Sequence, residues 1–464
     1  MKRTATSELS AWLARRGRKP LVIRGARQVG KSYLVRDFAQ AHGLDLVELN
    51  FERDPRAAAL FTEGDAMRLL RGIEAFTGKR LAYDRSLVFL DEIQAAPHVL
   101  AKLRWLHEET PKLAVVAAGS LLDFALADHA FSMPVGRITY LHLEPMSFVE
   151  FLRGLGDDEL AALIEEIDPW RGVAEPLHAR LLDRFREYVL VGGMPEAVDT
   201  YRQDRSLLDC ARVHQDLLAT FRDDFAKYAS AVHRDRLIKV LDAVPRMIGH
   251  KFVYSRVDRD ERAAALRQAV DLLCRARVCH RVAATHATGV PLGAEVDDRR
   301  SKLVLLDIGL VSASLGISLA DLGRAEDLVM ANEGALAEQA VGQALRVVEP
   351  PFHEPSLYYW ARDTPGAEAE VDYLIHQGPR IVPIEVKAGS TGTLRSLHAL
   401  MAARPWKRAV RFNTDRPSVT PVSMVTSSGA RATYELVSLP LYLAANVGRI
   451  LHEGRRDHAT GRRR

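Results

Sequence analysis

The octapeptide Gly25-Ala26-Arg27-Gln28-Val29-Gly30-Lys31-Ser32 constrains this chain more than any other segment. It reads G-x-x-x-x-G-K-[ST], follows the apolar run Leu21-Val22-Ile23, and precedes a helix-competent stretch that begins at Tyr33. Strand, glycine-rich loop and helix in that order form a P-loop, a phosphate cradle. The backbone N–H groups of Gly25 to Tyr33, with Ala26, Arg27, Gln28 and Val29 between the glycines, can turn inward around phosphate oxygens. The helix N-terminus adds partial positive charge. Lys31 is expected to reach the β- and γ-phosphates of ATP, and the Ser32 hydroxyl to bind Mg²⁺.

A P-loop of this kind needs a carboxylate on a neighbouring strand. Leu87-Val88-Phe89-Leu90 reads as a buried strand that delivers Asp91 and Glu92 at its C-terminal end. Asp91 is expected to hold the Mg²⁺ and Glu92 to polarise the attacking water. A further strand, Val115-Val116-Ala117-Ala118, ends at Gly119-Ser120. Ser120 is placed either to sense the γ-phosphate or to cap the next helix. Arg137, in Pro134-Val135-Gly136-Arg137, reads either as a transition-state arginine, acting in cis or across a subunit interface, or as a surface ion-pair partner.

At 464 residues the chain has room for about two to four domains. Its hydrophobic share of 47% and charged share of 27% are those of a globular protein. The net charge of +4 does not by itself argue nucleic-acid binding, although Arg455-Arg456 and Arg462-Arg463-Arg464 make a basic tail. Three cysteines, Cys210, Cys274 and Cys279, form neither metal spacing nor a disulfide framework, which fits a reducing cytoplasm, and Cys274 reads as core. No signal peptide is visible after Met1-Lys2-Arg3, and the apolar stretch Leu113 to Leu126 is broken by Gly119, Ser120 and Asp123, so no membrane partner is expected.

Strands at Leu21–Arg24, Asp45–Asn50, Ser86–Leu90, Ala114–Ala118 and Thr139–Leu143 alternate with helical stretches. This is the rhythm of an α/β fold with a mostly parallel sheet and helices on both faces, assigned to residues 1–150. Residues 151–230 read as a helical lid or linker entered through the capping box Ser147–Glu150 and broken at Gly192-Gly193-Met194-Pro195. Residues 231–300 show helices, a helix at Asp260–Arg277 and a strand at Val278–Ala284, a winged-helix order whose alternative is a helical spacer. Its surface carries Arg234, Arg236, Lys239, Arg246 and Lys251. Residues 301–464 return to mixed α/β, with a helix near Asn332–Val347, strands at Leu357–Trp360, Glu370–Ile375 and Ile381–Lys387, and loops at Pro350-Pro351 and Pro365-Gly366.

Asp372, then Glu385 and Lys387, sit on two predicted antiparallel strands in a D-x(12)-E-x-K pattern, the signature of the PD-(D/E)XK nuclease fold. Alternation puts Ile384 and Val386 on one face and Glu385 and Lys387 on the other. Asp372 and Glu385 would bind Mg²⁺, Glu338 could add a carboxylate, and Lys387 would stabilise a charged transition state. The competing readings are a solvated hairpin of alternating charges and a nuclease-like fold without activity.

These phrases, together with Leu49-Asn50-Phe51-Glu52, Leu90-Asp91-Glu92-Ile93-Gln94, Pro145-Met146-Ser147-Phe148, Gly192-Gly193-Met194-Pro195-Glu196, Asp224-Phe225-Ala226-Lys227-Tyr228 and Asn332-Glu333-Gly334-Ala335-Leu336-Ala337-Glu338, resemble a prokaryotic group of AAA+ ATPases with a C-terminal domain of unknown function 4143. The resemblance covers nearly the whole chain. It implies a multi-domain α/β protein with an AAA+ core, a winged-helix middle and a restriction-endonuclease-like C-terminal domain. It supports Lys31, Ser32, Asp91 and Glu92 as the nucleotide site and implies that the Gly-x-Pro turn ending at Pro195 approaches the nucleotide. No sensor-2 arginine of the usual AAA+ type is evident. The expected function is a cytoplasmic ATPase whose Mg-ATP hydrolysis controls the winged-helix and nuclease-like module, acting on DNA and able to form a homo-oligomer. The alternatives are an ATP-regulated, Mg-dependent DNA endonuclease and a nucleotide switch with an inactive nuclease fold.

Overall fold

The computed structural model describes residues 1–62, 65–120, 122, 136–228, 231–317, 334–362, 368–387 and 393–453. Pro134-Val135, Asn332-Glu333, the Pro365-Gly366 loop and the basic tail lie outside these. The chain divides into two compact units. The first comprises Met1–Glu144 with Arg275–Arg277 and Pro350–Pro355, and the second comprises the remainder.

In the first unit, β1 (Leu21–Arg24), β2 (Asp45–Asn50), β3 (Ser86–Asp91), β4 (Ala114–Gly119) and β5 (Thr139–His142) form one sheet in the order β2-β3-β4-β1-β5. All of its pairings are parallel. The expected strands are present, each to within a residue. Every residue of β3 and β4 is buried, which is why their sequences are continuous apolar runs rather than alternating ones. Helices Lys31–Ala41, Ala66–Thr77 and His98–Glu109 supply the covering layers. Leu34, Val35, Phe38 and Ala39 form the buried stripe of the first of these, at helical spacing. Leu69, Leu70 and Ile73 join Leu100, Leu103 and Leu106 against Val88, Leu90 and Val115 in one core cluster. Each such side chain contributes roughly 1.5–3 kcal/mol by leaving water.

In the second unit, Ser147 caps the helix Phe148–Gly154 through both hydrogen bonds of the capping box. The helix Glu175–Val191 stops at Gly192, whose φ of 71° ends the helical path. Eight strands form a mixed sheet: β6 (Cys279–Thr285), β7 (Val296–Leu305), β8 (Leu357–Arg362), β9 (Ala369–Gln377), β10 (Arg380–Val386), β11 (Arg408–Asn413), β12 (Ser418–Val425) and β13 (Arg431–Pro440), ordered β12-β13-β11-β10-β9-β8-β6-β7. The strand read as a wing, β6, pairs antiparallel with β7 and parallel with β8.

The β9–β10 hairpin forms with the expected antiparallel pairing. However, β10 is buried along nearly its whole length, Glu385 included. Its alternating polarity does not mark a solvated face, because β10 is an inner strand between β9 and β11. The cysteines are free thiols; Cys279 is buried, while Cys274, expected in a core, is of intermediate exposure with its sulfur 3.7 Å from that of Cys279. Among the described residues no helix is long and apolar enough to cross a membrane.

Candidate nucleotide site and carboxylate cluster

The loop from Gly25 to Gly30 joins β1 to the helix Lys31–Ala41. A Cβ at Gly25 would overlap the carbonyl oxygen of Leu143, so only glycine lets the two backbones meet there. Gly30 has φ 92° and caps the helix in the left-handed region that glycine enters without penalty. Gln28 is held at φ 62°, a strained setting for a residue with a side chain. Arg3 braces the loop from the N-terminal segment: its guanidinium donates to the carbonyls of Val29 at 2.8 Å and Glu144 at 2.6 Å.

Lys31 is buried, and its ammonium donates to the carbonyls of Gly25 at 3.1 Å and Ala26 at 2.7 Å. Burial pulls its pKa down to about 8, against the pull of Glu92 and Asp91; Arg27 and Arg277 push the same way as burial. Arg277 is part of this unit and has its own ion pair with Glu354 at 3.0 Å.

The Ser32 hydroxyl donates to both oxygens of Asp91, at 3.1 and 2.9 Å. Asn50, paired with Asp91 in the β2–β3 register, donates its side-chain amide to the same carboxylate at 3.0 Å. Burial raises the Asp91 pKa, and the Ser32 hydrogen bond opposes that. Glu92 stands just past β3 in the left-handed region, φ 52°. Gln94 donates to its Oε2 at 2.5 Å and to Glu52 at 3.4 Å, and Glu52 faces Arg27 at 3.6 Å. Ser120, at the end of β4, is buried, and its hydroxyl has no hydrogen-bond partner among the described residues.

The first unit thus brings Lys31, Ser32, Asp91 and Glu92 to the C-terminal ends of β1 and β3. Tyr33 is exposed, and its hydroxyl accepts from the terminal ammonium of Met1 at 2.9 Å. Arg137 is exposed and donates to Glu108 at 2.8 Å. Pro195 lies in the second unit at the start of the helix Pro195–Asp204, where the Gly193 N–H donates to Asp307 at 2.7 Å. Arg3, Asn50 and Gln94 had no role assigned from the sequence, although Asn50 and Gln94 stand in the phrases that carry the family resemblance. The pairing of Asn50 with Asp91 in the β2–β3 register supplies its role.

In the second unit Glu338 (helix Ala335–Leu345), Asp372 (β9) and Glu385 (β10) all lie at the sheet. Asp372 accepts the N–H of Val386 at 2.8 Å, and Lys387 pairs with Glu385 at 2.6 Å. Two further residues enter the group: Lys302 from β7 and Glu370 from β9. Burial pushes both Glu338 and Glu385 up to about 8, with Asp372 adding to it and Lys302 and Lys387 opposing. On the helical segment before β6, Arg236 and Lys239 are ion-paired with Glu261 at 3.0 Å and Asp258 at 2.6 Å.

A parallel sheet with a P-loop after its β1 strand and a carboxylate pair at the C-terminal end of β3 defines the class: a P-loop ATPase of the AAA type. Residues 17–152 match the AAA domain family, and residues 333–423 match a domain of unknown function, DUF4143. The chain therefore joins an AAA ATPase domain to a DUF4143 domain, and residues 182–321 between them match a further domain of unknown function, DUF8612. No curated protein matches. Solved structures with a distant likeness include the Walker-type ATPase PABY2304 of Pyrococcus abyssi, at 14% identity, covering 67% of this chain and 94% of that one, TM-score 0.42. Another is the Aeropyrum pernix ORC2 protein in its ADPNP–ADP complexes, at 13% identity, covering 70% and 96%, TM-score 0.35.

Proposed function

We propose that this ATPase works with Mg²⁺ and uses hydrolysis to switch its C-terminal half, a module that faces DNA. The observation that carries the reading is the convergence of Lys31, Ser32 and Asp91 at one helix N-terminus. The donor set suits Mg²⁺: a hydroxyl and a carboxylate, both oxygen ligands, in a shell that water and phosphate oxygens would complete. Ser32 and Asp91 would hold the ion, which when bound neutralises charge on the β- and γ-phosphates. The Lys31 ammonium leaves the loop carbonyls for the phosphates. Glu92 accepts the proton of the attacking water, and Gln94 orients its carboxylate. Ser120 offers the free hydroxyl of a sensor. Arg137 acts as a transition-state cation only when released from Glu108. Pro195, in its Gly-x-Pro turn, remains a nucleotide-site residue by the resemblance alone.

The hydrolytic part is tested by ATP turnover: Lys31→Ala and Glu92→Gln each abolish it, and unchanged turnover in both overturns the reading. The DNA part rests on the helix-and-strand order before β6 and on the nuclease-like pattern in β9 and β10. The ion pairs of Arg236 and Lys239 leave that surface less free charge than its sequence suggests. Binding to duplex DNA that weakens with salt, and that changes between ATP analogue and ADP, supports it; no salt-dependent binding in either state counts against it.

A further inference from the structure

We infer that Lys302 supplies from within the chain the positive charge that the C-terminal carboxylates would otherwise take from a divalent ion, so that this nuclease-like sheet is a metal-free, non-cleaving module. The inference deepens the reading of the C-terminal half given above and is independent of ATP hydrolysis.

Lys302 sits on β7, and its side chain is 2% exposed. Its ammonium lies 2.8 Å from Glu338, 2.5 Å from Glu370 and 3.6 Å from Asp372. An ammonium has three protons to donate, and here three carboxylates surround it. The position is built rather than incidental. Although β7 is the last strand of the sheet, Lys251 bridges to Lys302 on the outer side and the Phe252 N–H donates to Ser301, so the backbone at Lys302 is covered. Tyr359 places its ring 5.4 Å from the ammonium. Tyr373 donates to the Glu338 carbonyl at 2.9 Å and fixes the helix that carries that carboxylate.

A nuclease reading needs Mg²⁺ among Glu338, Asp372 and Glu385, and the residues do not fit it. Mg²⁺ demands near-octahedral oxygen coordination. Glu338 is committed to Lys302, and Asp372 is shared between Lys302 and the Val386 N–H. Glu385 gives one oxygen to Lys387, and only its Oε2 lacks a hydrogen-bond partner. Among the described residues no three His, Cys, Asp or Glu side chains are grouped to hold a metal. A divalent cation brought to the same carboxylates would meet the Lys302 charge in a buried setting where like charges repel strongly.

The test is Mn²⁺ binding to the full chain purified free of nucleotide, followed by the loss of the free-ion electron paramagnetic signal, beside cleavage assays on supercoiled and linear DNA. Wild type and Asp372→Asn are expected to bind Mn²⁺ identically, and neither to cut DNA with Mg²⁺ or Mn²⁺, with or without ATP. Lys302→Met, which removes the internal charge, is expected to gain about one Mn²⁺ per chain that the Lys302→Met/Asp372→Asn double variant loses. A stoichiometric Mn²⁺ in wild type that Asp372→Asn removes, cleavage that depends on Asp372, or a folded Lys302→Met chain that gains no ion overturns the inference. Should Lys302→Met not fold, the comparison of wild type with Asp372→Asn still decides. ATP turnover measured on the same samples reports separately on the nucleotide site.

Discussion

The Ser32 hydroxyl bridges both oxygens of Asp91, at 3.1 and 2.9 Å, tying the first turn of the helix after the P-loop to the end of β3. The two groups act on one ion in the proposed mechanism, so their removal should not be additive. Ser32→Ala and Asp91→Asn are each expected to lower the turnover number by roughly 100-fold or more, the scale of losing a preorganised charge-stabilising contact. The double variant should be little worse than the poorer single one. Phosphate-release kinetics with a circular-dichroism check of folding measure this, and fully additive losses would separate the two residues.

Lys31 carries a pH signature. Its folded pKa of about 8 lies below the ordinary 10.5 because the ammonium is buried. Between those values the unfolded chain binds the proton and the folded one has released it, so stability contributed by this group rises with pH across the window. A triphosphate restores the charge, so ATP binding near pH 9 should take up close to one proton. Calorimetry in buffers of different ionisation heat gives that number directly. Lys31→Met should show none of the uptake, and uptake that persists in the variant would assign the proton elsewhere.

The nucleotide half was legible because its signals are local. A P-loop needs consecutive residues, and a buried parallel strand shows as the uninterrupted run Leu87–Leu90 ahead of Asp91-Glu92. The carboxylate cluster was only half legible. Asp372, Glu385 and Lys387 lie on adjacent strands of one hairpin, where spacing and alternation speak for them. Lys302 and Glu370 were not read. Lys302 reaches the cluster from β7, at the far side of β6 and β8, and no periodicity links residues 302 and 372. The burial of Glu385 was hidden for the same reason: β10 becomes an inner strand through pairing with β11, which is contributed by a later part of the chain.

Arg3 should matter beyond its place near the N-terminus. It is 8% exposed, and its two hydrogen bonds satisfy the carbonyls of Val29 and Glu144. Arg3→Ala leaves buried acceptors unsatisfied and is expected to cost about 1–3 kcal/mol of stability. Because Val29 belongs to the cradle, the variant should also raise the KM for ATP more than it lowers kcat. Urea denaturation and steady-state kinetics test the two effects, and a variant with wild-type KM would confine Arg3 to folding.

Glu385 makes the second unit sensitive to mild alkali. Burial holds its carboxyl at about 8, with the charge of Asp372 adding to the shift and Lys387 opposing it. Below 4.5 both states are protonated; from there to about 8 the folded state keeps a proton that the unfolded chain has released. Stability contributed by this group therefore falls as pH rises through that window, and the loss is complete above it. Glu385→Gln, an uncharged analogue of the protonated acid, escapes its share of the fall. At pH about 5 the variant and wild type should unfold at similar urea concentrations, and by pH about 9 the variant should be the more resistant, because only the wild type must then bury an ionised group. A difference between the two that stays constant across the range would mean that Glu385 is already ionised in the folded protein, held so by its contact with Lys387.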